Sequence, residues 1–161
     1  MNRYTIFNSP LGPVTLQASS QALSGAWFTT HTSQPEELGQ RDDEFALLVE
    51  AIAQLQAYFA GRCQSFDLPV APRGSEFQQQ VWQALQGIPY GETRSYQDIA
   101  NAIDNPNAVR AVGLANGKNP LSIIVPCHRV IGKNGKLTGY AGGLDRKRAL
   151  LTLEGCLTKD G

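Results

Sequence analysis

A sulfur nucleophile and an imidazole stand side by side in Pro126-Cys127-His128-Arg129, directly after the apolar run Leu121-Ser122-Ile123-Ile124-Val125. Cysteine attacks as its thiolate, and a free thiol is mostly protonated at neutral pH, so it needs a base or an electropositive setting. This segment carries candidates for both. The apolar run reads as a strand, whose end can present a reactive group at a cleft. Consecutive side chains of an extended strand, however, point to opposite faces. Two resolutions are open: the backbone turns sharply after Pro126, or a water bridges the two groups. Taken alone, the dipeptide fits an inert buried cysteine beside an unrelated histidine somewhat better than a reactive pair.

The elements that must position this dipeptide fall into two groups. Residues 4–7 and 14–18 are apolar runs around the turn-forming Ser9-Pro10-Leu11-Gly12-Pro13, and residues 23–29 form a third run, which predicts a small antiparallel sheet. Residues 30–41 read as a loop. Over residues 42–60, Phe45, Leu48, Val49, Ile52, Leu55 and Phe59 recur at helical spacing after Asp42-Asp43-Glu44, predicting an amphipathic helix on one face of the sheet. Pro69, Pro72 and Gly74 mark a boundary, giving expected domains 1–71 and 72–161.

Beyond the boundary, Ser75 can cap a helix carrying Phe77, Val81, Trp82 and Leu85, and Ser95 with Asp98 forms a capping-box pattern before Ile99, Ala100 and Ile103. Asn105 as cap with Pro106 can begin a third helix over residues 108–118. Helix, short turn, helix is the spacing of a helix-turn-helix, though many enzyme helix pairs share it without binding DNA. The third helix is unusual: Ala108, Ala111, Gly113, Ala115 and Gly117 leave it without bulk, and Arg110 is its one charge before Lys118. Small residues suit either tight packing on a neighbour or a narrow groove. Lys133-Asn134-Gly135-Lys136 holds the Asn-Gly turn of a hairpin between Val130-Ile131 and Leu137-Thr138, a basic wing. Gly139-Tyr140-Ala141-Gly142-Gly143 supplies a tyrosine that could wall a pocket, and Asp145 can cap a last helix closed by Gly155.

The 161 residues suffice for one domain or two small ones, and the net charge of zero hides a division. Residues 1–71 carry three Lys and Arg against seven Asp and Glu, a net −4, whereas residues 72–161 carry eleven against seven, a net +4. The asymmetry points to an acidic half in solvent and a basic half that meets a polyanion, although chance clustering can reach a difference this modest. With no charged-plus-apolar leader and no membrane-length apolar stretch, the expected location is the cytoplasm. Cys63, Cys127 and Cys156 are too widely spaced for a zinc site or disulfide framework, and His31 is isolated in a loop, so no metal is expected. Cys63 and Cys156 read as packing or surface residues.

Ser95-Tyr96, Val109-Arg110-Ala111-Val112-Gly113, Asn119-Pro120, Val125-Pro126-Cys127-His128-Arg129-Val130, Gly139-Tyr140-Ala141-Gly142-Gly143 and Glu154-Gly155 together closely resemble the O6-alkylguanine-DNA alkyltransferases, also called methylated-DNA-protein-cysteine methyltransferases. The resemblance runs almost continuously over residues 75–155 and more loosely before that, on Ser9-Pro10-Leu11-Gly12 and the following helix. It implies an α/β fold: an amino-terminal ribonuclease-H-like domain of antiparallel sheet plus helix, followed by a mainly helical winged helix-turn-helix catalytic domain.

The implied activity is single-turnover transfer of an alkyl group from O6-alkylguanine in duplex DNA to Cys127, with O4-alkylthymine as a further candidate substrate and no cofactor. His128 would act as base through a water, Glu154 would orient the imidazole, Tyr96 would assist departure of the guanine, and Asn119 would hold the cysteine turn. Arg110 would take the place of the flipped base while the helix bearing Ala111 and Gly113 enters the minor groove. Gln97, Asn105 and Lys133 fall where phosphate contacts are expected, and Val130, Tyr140 and Ala141 where the base pocket is built. A monomer is expected. The main alternative is a non-catalytic alkyl-lesion sensor, which replaces the cysteine; Cys127 argues against it. A cysteine hydrolase would have no use for Arg110 or the basic wing, and regulatory relatives carry a further domain.

Overall fold

The computed structural model describes residues 2–31 and 33–157. In the amino-terminal half, β1 (Arg3–Ser9), β2 (Gly12–Ala18) and β3 (Leu23–Phe28) pair antiparallel, and short β4 (Gln40–Arg41) pairs in parallel with β1, giving the order β3-β2-β1-β4. Ser9 closes the first turn, its hydroxyl donating to the Gly12 carbonyl at 2.6 Å and accepting from the Leu11 N–H at 3.1 Å. Strand β4 falls inside residues 30–41, expected to be loop; two exposed polar residues leave no alternation to read.

Helix α1 (Ala46–Phe59) packs on β1 and β2 but starts later than the acidic cluster. Arg3 of β1 donates to Asp42 at 2.8 Å and the Thr5 hydroxyl donates to Asp43 at 2.7 Å, so these carboxylates tie to the sheet instead of opening the helix. The buried face of α1 is Leu48, Ala51, Leu55 and Tyr58, turned from the expected stripe, and Val49 is 48% exposed. That rotation sends Tyr58 inward.

The free edge of β3 is taken by the rest of the chain. Leu23 N–H donates to the Pro69 carbonyl and Ala71 N–H to that of Leu23; three residues along the strand, Ala26 N–H donates to the Pro120 carbonyl and Ser122 N–H to that of Ala26. Residues expected to be a loose boundary therefore extend the sheet, and the segment leading to Cys127 is anchored to it. Pairing an otherwise open edge also removes a site for unwanted strand addition.

The second half is helical. Helix α2 (Glu76–Gln86) and α3 (Tyr96–Ala102) both begin with capping boxes, Ser75 with Gln78 and Ser95 with Asp98. Helix α4 (Val109–Gly117) begins after Ala108; Asn105, expected as its cap, instead accepts the Ala108 N–H through its carbonyl at 3.0 Å in the preceding turn. The last helix, α5 (Leu144–Leu153), starts from Gly143 at φ 94°, with Asp145 in its first turn and not at its cap. β5 (Arg94–Ser95) and β6 (Val130–Ile131) pair in parallel.

Two expected strands do not form. The basic turn closes, Gly132 N–H donating to the Lys136 carbonyl at 2.8 Å, but Leu137 and Thr138 make no ladder with Val130 and Ile131. The Thr138 carbonyl is used by the Tyr96 hydroxyl at 3.1 Å and by Lys147 Nζ at 2.7 Å, which diverts it from strand pairing. In the apolar run before Cys127 only Leu121 bridges to a strand, and Ile123 adopts φ 73°, which ends extension. Among the described residues no helix is long and apolar enough to cross a membrane.

Trp82 joins α2 to α4, its indole N–H donating to the Ala115 carbonyl at 2.8 Å in a site where Trp82 is 1% exposed. Removing one partner of a buried hydrogen bond strands the other. Trp82→Phe is expected to lower unfolding free energy by about 1–3 kcal/mol, read by urea denaturation; a loss near zero would mean that the α2–α4 bond carries no stability.

Candidate active site

Cys127, His128 and Arg129 form one 3-10 turn, so the backbone does turn sharply after Pro126, but the turn makes no direct hydrogen bond between the Cys127 thiol and His128 Nδ1, and the second resolution, a bridging water, stays open. A compact knot sits beneath it. Asn119 Nδ2 donates to the Val125 carbonyl at 2.8 Å and to that of Leu121 at 3.3 Å, while Asn119 Oδ1 accepts the Leu121 N–H at 3.0 Å. Cys127 N–H shares the Val125 carbonyl at 2.8 Å, and Asn116 Nδ2 reaches the Cys127 carbonyl at 3.4 Å. Ile123, a β-branched residue in the left-handed region, is strained there and is held by burial at 1% exposure and by the hydrogen bonds around it. Such a residue persists only where its surroundings over-determine it.

Glu154, at the carboxyl end of α5, lies at the centre of the polar network. His128 Nε2 lies 2.7 Å from Oε2, the Tyr58 hydroxyl donates to the same oxygen at 2.5 Å, and Arg129 donates through Nε to Oε1 at 2.7 Å and through Nη2 to Oε2 at 3.1 Å. Arg129 also donates to the Ile88 carbonyl at 2.7 Å. Burial alone would raise the Glu154 carboxyl, but the donors from His128, Arg129 and Tyr58 hold it at about 2. An ionised carboxylate can only accept, so His128 carries its proton on Nε2. Nδ1 is then the basic nitrogen, buried and without a partner among the described residues. Burial pushes the His128 imidazole below its ordinary value despite Glu154, with Arg129 and Lys147 adding to the depression.

The Cys127 thiol is 4% exposed, and burial pushes it up to about 11, with Asn119 and the Lys147 charge working the other way. At rest it is a thiol. Lys147, fully buried on α5, donates to the Val130 carbonyl at 2.5 Å and to the Thr138 carbonyl, and so bolts the cysteine turn to the loop bearing Tyr140. Tyr140 and Ser122 share a short hydroxyl–hydroxyl hydrogen bond, and the Ala141 carbonyl accepts from Thr30. Among the described residues no group of three or more His, Cys, Asp or Glu side chains could hold a metal ion.

The expected residues thus divide into two places. Cys127, His128, Glu154, Asn119, Val130 and Tyr140 are gathered in the interior, with Ala141 at its margin and Tyr96 bound to Thr138 beside it. Arg110 and Ala111 lie on the exposed face of α4 with Leu114, which is 73% exposed, while Gly113 faces the Tyr96 ring, 3.9 Å from where a Cβ would stand. Gly117 has open space around it. Neither glycine is demanded by tight packing within the protein. Gln97 donates to Asn101 and to the Pro106 carbonyl, bracing the α3–α4 turn, whereas Asn105 and Lys133 are exposed.

Sequence reading missed Tyr58, Lys147 and the role of Arg129. Lys147 was legible: residues 147, 150, 151 and 154 fall on one helical face, which puts a cation and a carboxylate among leucines. Tyr58 carried no such signal, because its partner lies 96 residues away.

Residues 2–72 match the family described as 6-O-methylguanine DNA methyltransferase, ribonuclease-like domain, and residues 76–156 match its DNA binding domain. A methylated-DNA–protein-cysteine methyltransferase of Methanosarcina acetivorans is 55% identical, with 94% of this chain and 97% of the relative aligned. One from Mycolicibacterium paratuberculosis is 53% identical over 96% and 93% of the two chains. The crystal structure of Mycobacterium tuberculosis OGT in complex with DNA superposes at TM-score 0.89, with 52% identity over 95% of this chain and 92% of that one. The sheet with its helix is the ribonuclease-like domain of that fold, and the helical half its DNA-binding domain. The chain belongs to the 6-O-methylguanine DNA methyltransferase family.

Proposed function

We propose that this chain repairs DNA by direct reversal, moving the alkyl group of O6-alkylguanine in duplex DNA onto the sulfur of its own Cys127. The observation that carries the reading is the pairing, within one 3-10 turn, of a buried thiol with an imidazole whose Nε2 is committed to an ionised carboxylate and whose Nδ1 is free to take a proton. His128 takes the thiol proton through a bridging water. Sγ then attacks the alkyl carbon in line, the S–C bond forms, and the C–O6 bond breaks with its electron pair leaving on guanine. Tyr96 offers a hydrogen bond or proton at the edge of the base, so that guanine departs neutral. The proton lost by the thiol and the proton gained by guanine balance.

A hydrolytic cysteine works as a thiolate with a lowered pKa. Here burial pushes the thiol up to about 11, which favours a nucleophile generated only when a substrate is in place. The thioether is not readily cleaved, so each molecule acts once, without a cofactor. O4-alkylthymine is the second substrate of this reading.

Cys127 is interior while the alkylated base is stacked in a duplex, so the nucleotide must be flipped at a cost of a few kcal/mol. Helix α4 enters the minor groove, roughly half the width of the major groove, with Ala111, Gly113 and Gly117 allowing close approach. Arg110 has no hydrogen-bond or ion-pair partner among the described residues and is free to occupy the vacated place in the stack. Asn105 and Lys133 offer phosphate contacts, while Gln97 acts by bracing the turn. Val130, Tyr140 and Ala141 wall the base pocket. We place the protein in the cytoplasm as a monomer, with domain limits near residues 1–71 and 72–161.

Cys127→Ala is expected to abolish alkyl transfer while leaving binding to duplex DNA within about twofold; transfer at the wild-type rate would remove Cys127 from the mechanism. Arg110→Ala should slow repair of O6-methylguanine in duplex by about tenfold or more and leave reaction with free O6-benzylguanine nearly unchanged. Equal losses in the two assays would end the flipping role.

A further inference from the structure

Tyr58 belongs to α1 of the ribonuclease-like domain, yet its hydroxyl ends on the carboxylate that holds the imidazole beside Cys127. We propose that Tyr58 is a positioning residue for alkyl transfer, through which the amino-terminal domain sets how strongly Glu154 holds the His128 imidazole. The proposal rests on the functional reading above and concerns the same site.

His128 Nε2 and the Tyr58 hydroxyl converge on a single oxygen, Oε2, at 2.7 and 2.5 Å. A donor to that oxygen spreads its negative charge and leaves less of it to stabilise an imidazolium. Burial and the Glu154 charge hold the Tyr58 phenol far above its ordinary range, so it stays a neutral hydroxyl and donates to the ionised carboxylate. The hydroxyl is also fixed. The Tyr58 ring packs on Phe59, Phe66 and Tyr90 with centroids 5.3, 5.5 and 6.3 Å away, and the side chain is fully buried. Tyr58 therefore keeps the base weak, neutral and ready near neutral pH, and joins Arg129 in holding the Glu154 carboxylate in place.

The charged and titratable groups around His128 come from three elements besides its own. Arg129 shares its turn, Lys147 and Glu154 come from α5, Tyr58 from α1, and Tyr90 from the turn after α2, its ring 5.7 Å from the Arg129 guanidinium. Burial pushes Lys147 down to about 8, Cys127 up to about 11 and Tyr90 above its ordinary value, so none of these three changes charge in the acid range where His128 does.

The test uses the full-length chain and free O6-benzylguanine, with the rate of Cys127 alkylation followed by intact mass from acid to neutral pH. For the wild type the rate should fall on acidification with a midpoint below 6.5, because the folded imidazole is depressed from that value and only its neutral form accepts the proton. Tyr58→Phe keeps the ring, deletes the oxygen, and should move that midpoint up by roughly half a unit, a loss of about threefold on the acid limb. A merely structural role would scale the whole profile and leave the midpoint in place, and that result overturns the proposal. A second reading needs no activity: the chain has two histidines, and His31, which accepts the Phe28 N–H through Nδ1, gives an internal reference. In Cys127→Ala protein, imidazole nitrogen NMR should show the His128 titration raised by Tyr58→Phe and that of His31 unmoved; an unmoved or lowered His128 also overturns it. Wild-type protein that takes no benzyl group would instead count against the functional reading itself.

Discussion

A buried carboxylate is the constraint from which the rest of this structure follows. The Glu154 side chain is fully enclosed, and an isolated ion in such a place would cost several kcal/mol. Four donor contacts from three side chains offset that cost; the donors come from α1 and the 3-10 turn and the carboxylate from the end of α5, so three separate elements meet at it. Breaking a network of this kind by removing one partner typically costs about 3–5 kcal/mol. The elements must therefore be assembled together or not at all. Main-chain bonds from β3 to residues 69–71 and 120–122 hold the sheet against the cysteine segment and make that assembly possible.

Chemistry and recognition are built in different materials. The cysteine turn is over-determined, with Asn119 spanning the Leu121 and Val125 carbonyls, Ile123 held in a strained conformation and Lys147 bridging to the loop of Tyr140. Helix α4, by contrast, shows solvent a face of small residues, one leucine and an unpaired arginine. A rigid interior preserves reacting geometry without a substrate. A smooth exposed helix fits against a partner that supplies its own shape.

The sequence was legible where local rules decide. The Ser75 cap and the Ser95–Asp98 capping box formed where expected, Gln78 completing a second box three residues after Ser75, and the Asn-Gly turn closed where expected. The Cys127, His128 and Glu154 constellation was legible through the resemblance; spacing alone left the cysteine and histidine with two arrangements. What failed was long-range. Asp42 and Asp43 were read as helix-opening charges, but Arg3 and Thr5 recruit them to the sheet. Residues 121–125 have strand composition, but Asn119 and the left-handed Ile123 fold them into a turn. Tyr58 looked like any aromatic of an amphipathic helix, since only the tertiary fold brings Glu154 to it.

The central claim is that Cys127 is both the reagent and the final acceptor. Intact mass and peptide mapping after incubation with duplex DNA containing O6-methylguanine test it most directly. The account predicts one added methyl group per molecule, located on Cys127, with no further turnover after the protein is consumed. Repair that continues beyond one equivalent, a methyl group on another residue, or tight DNA binding with no change in mass would contradict it.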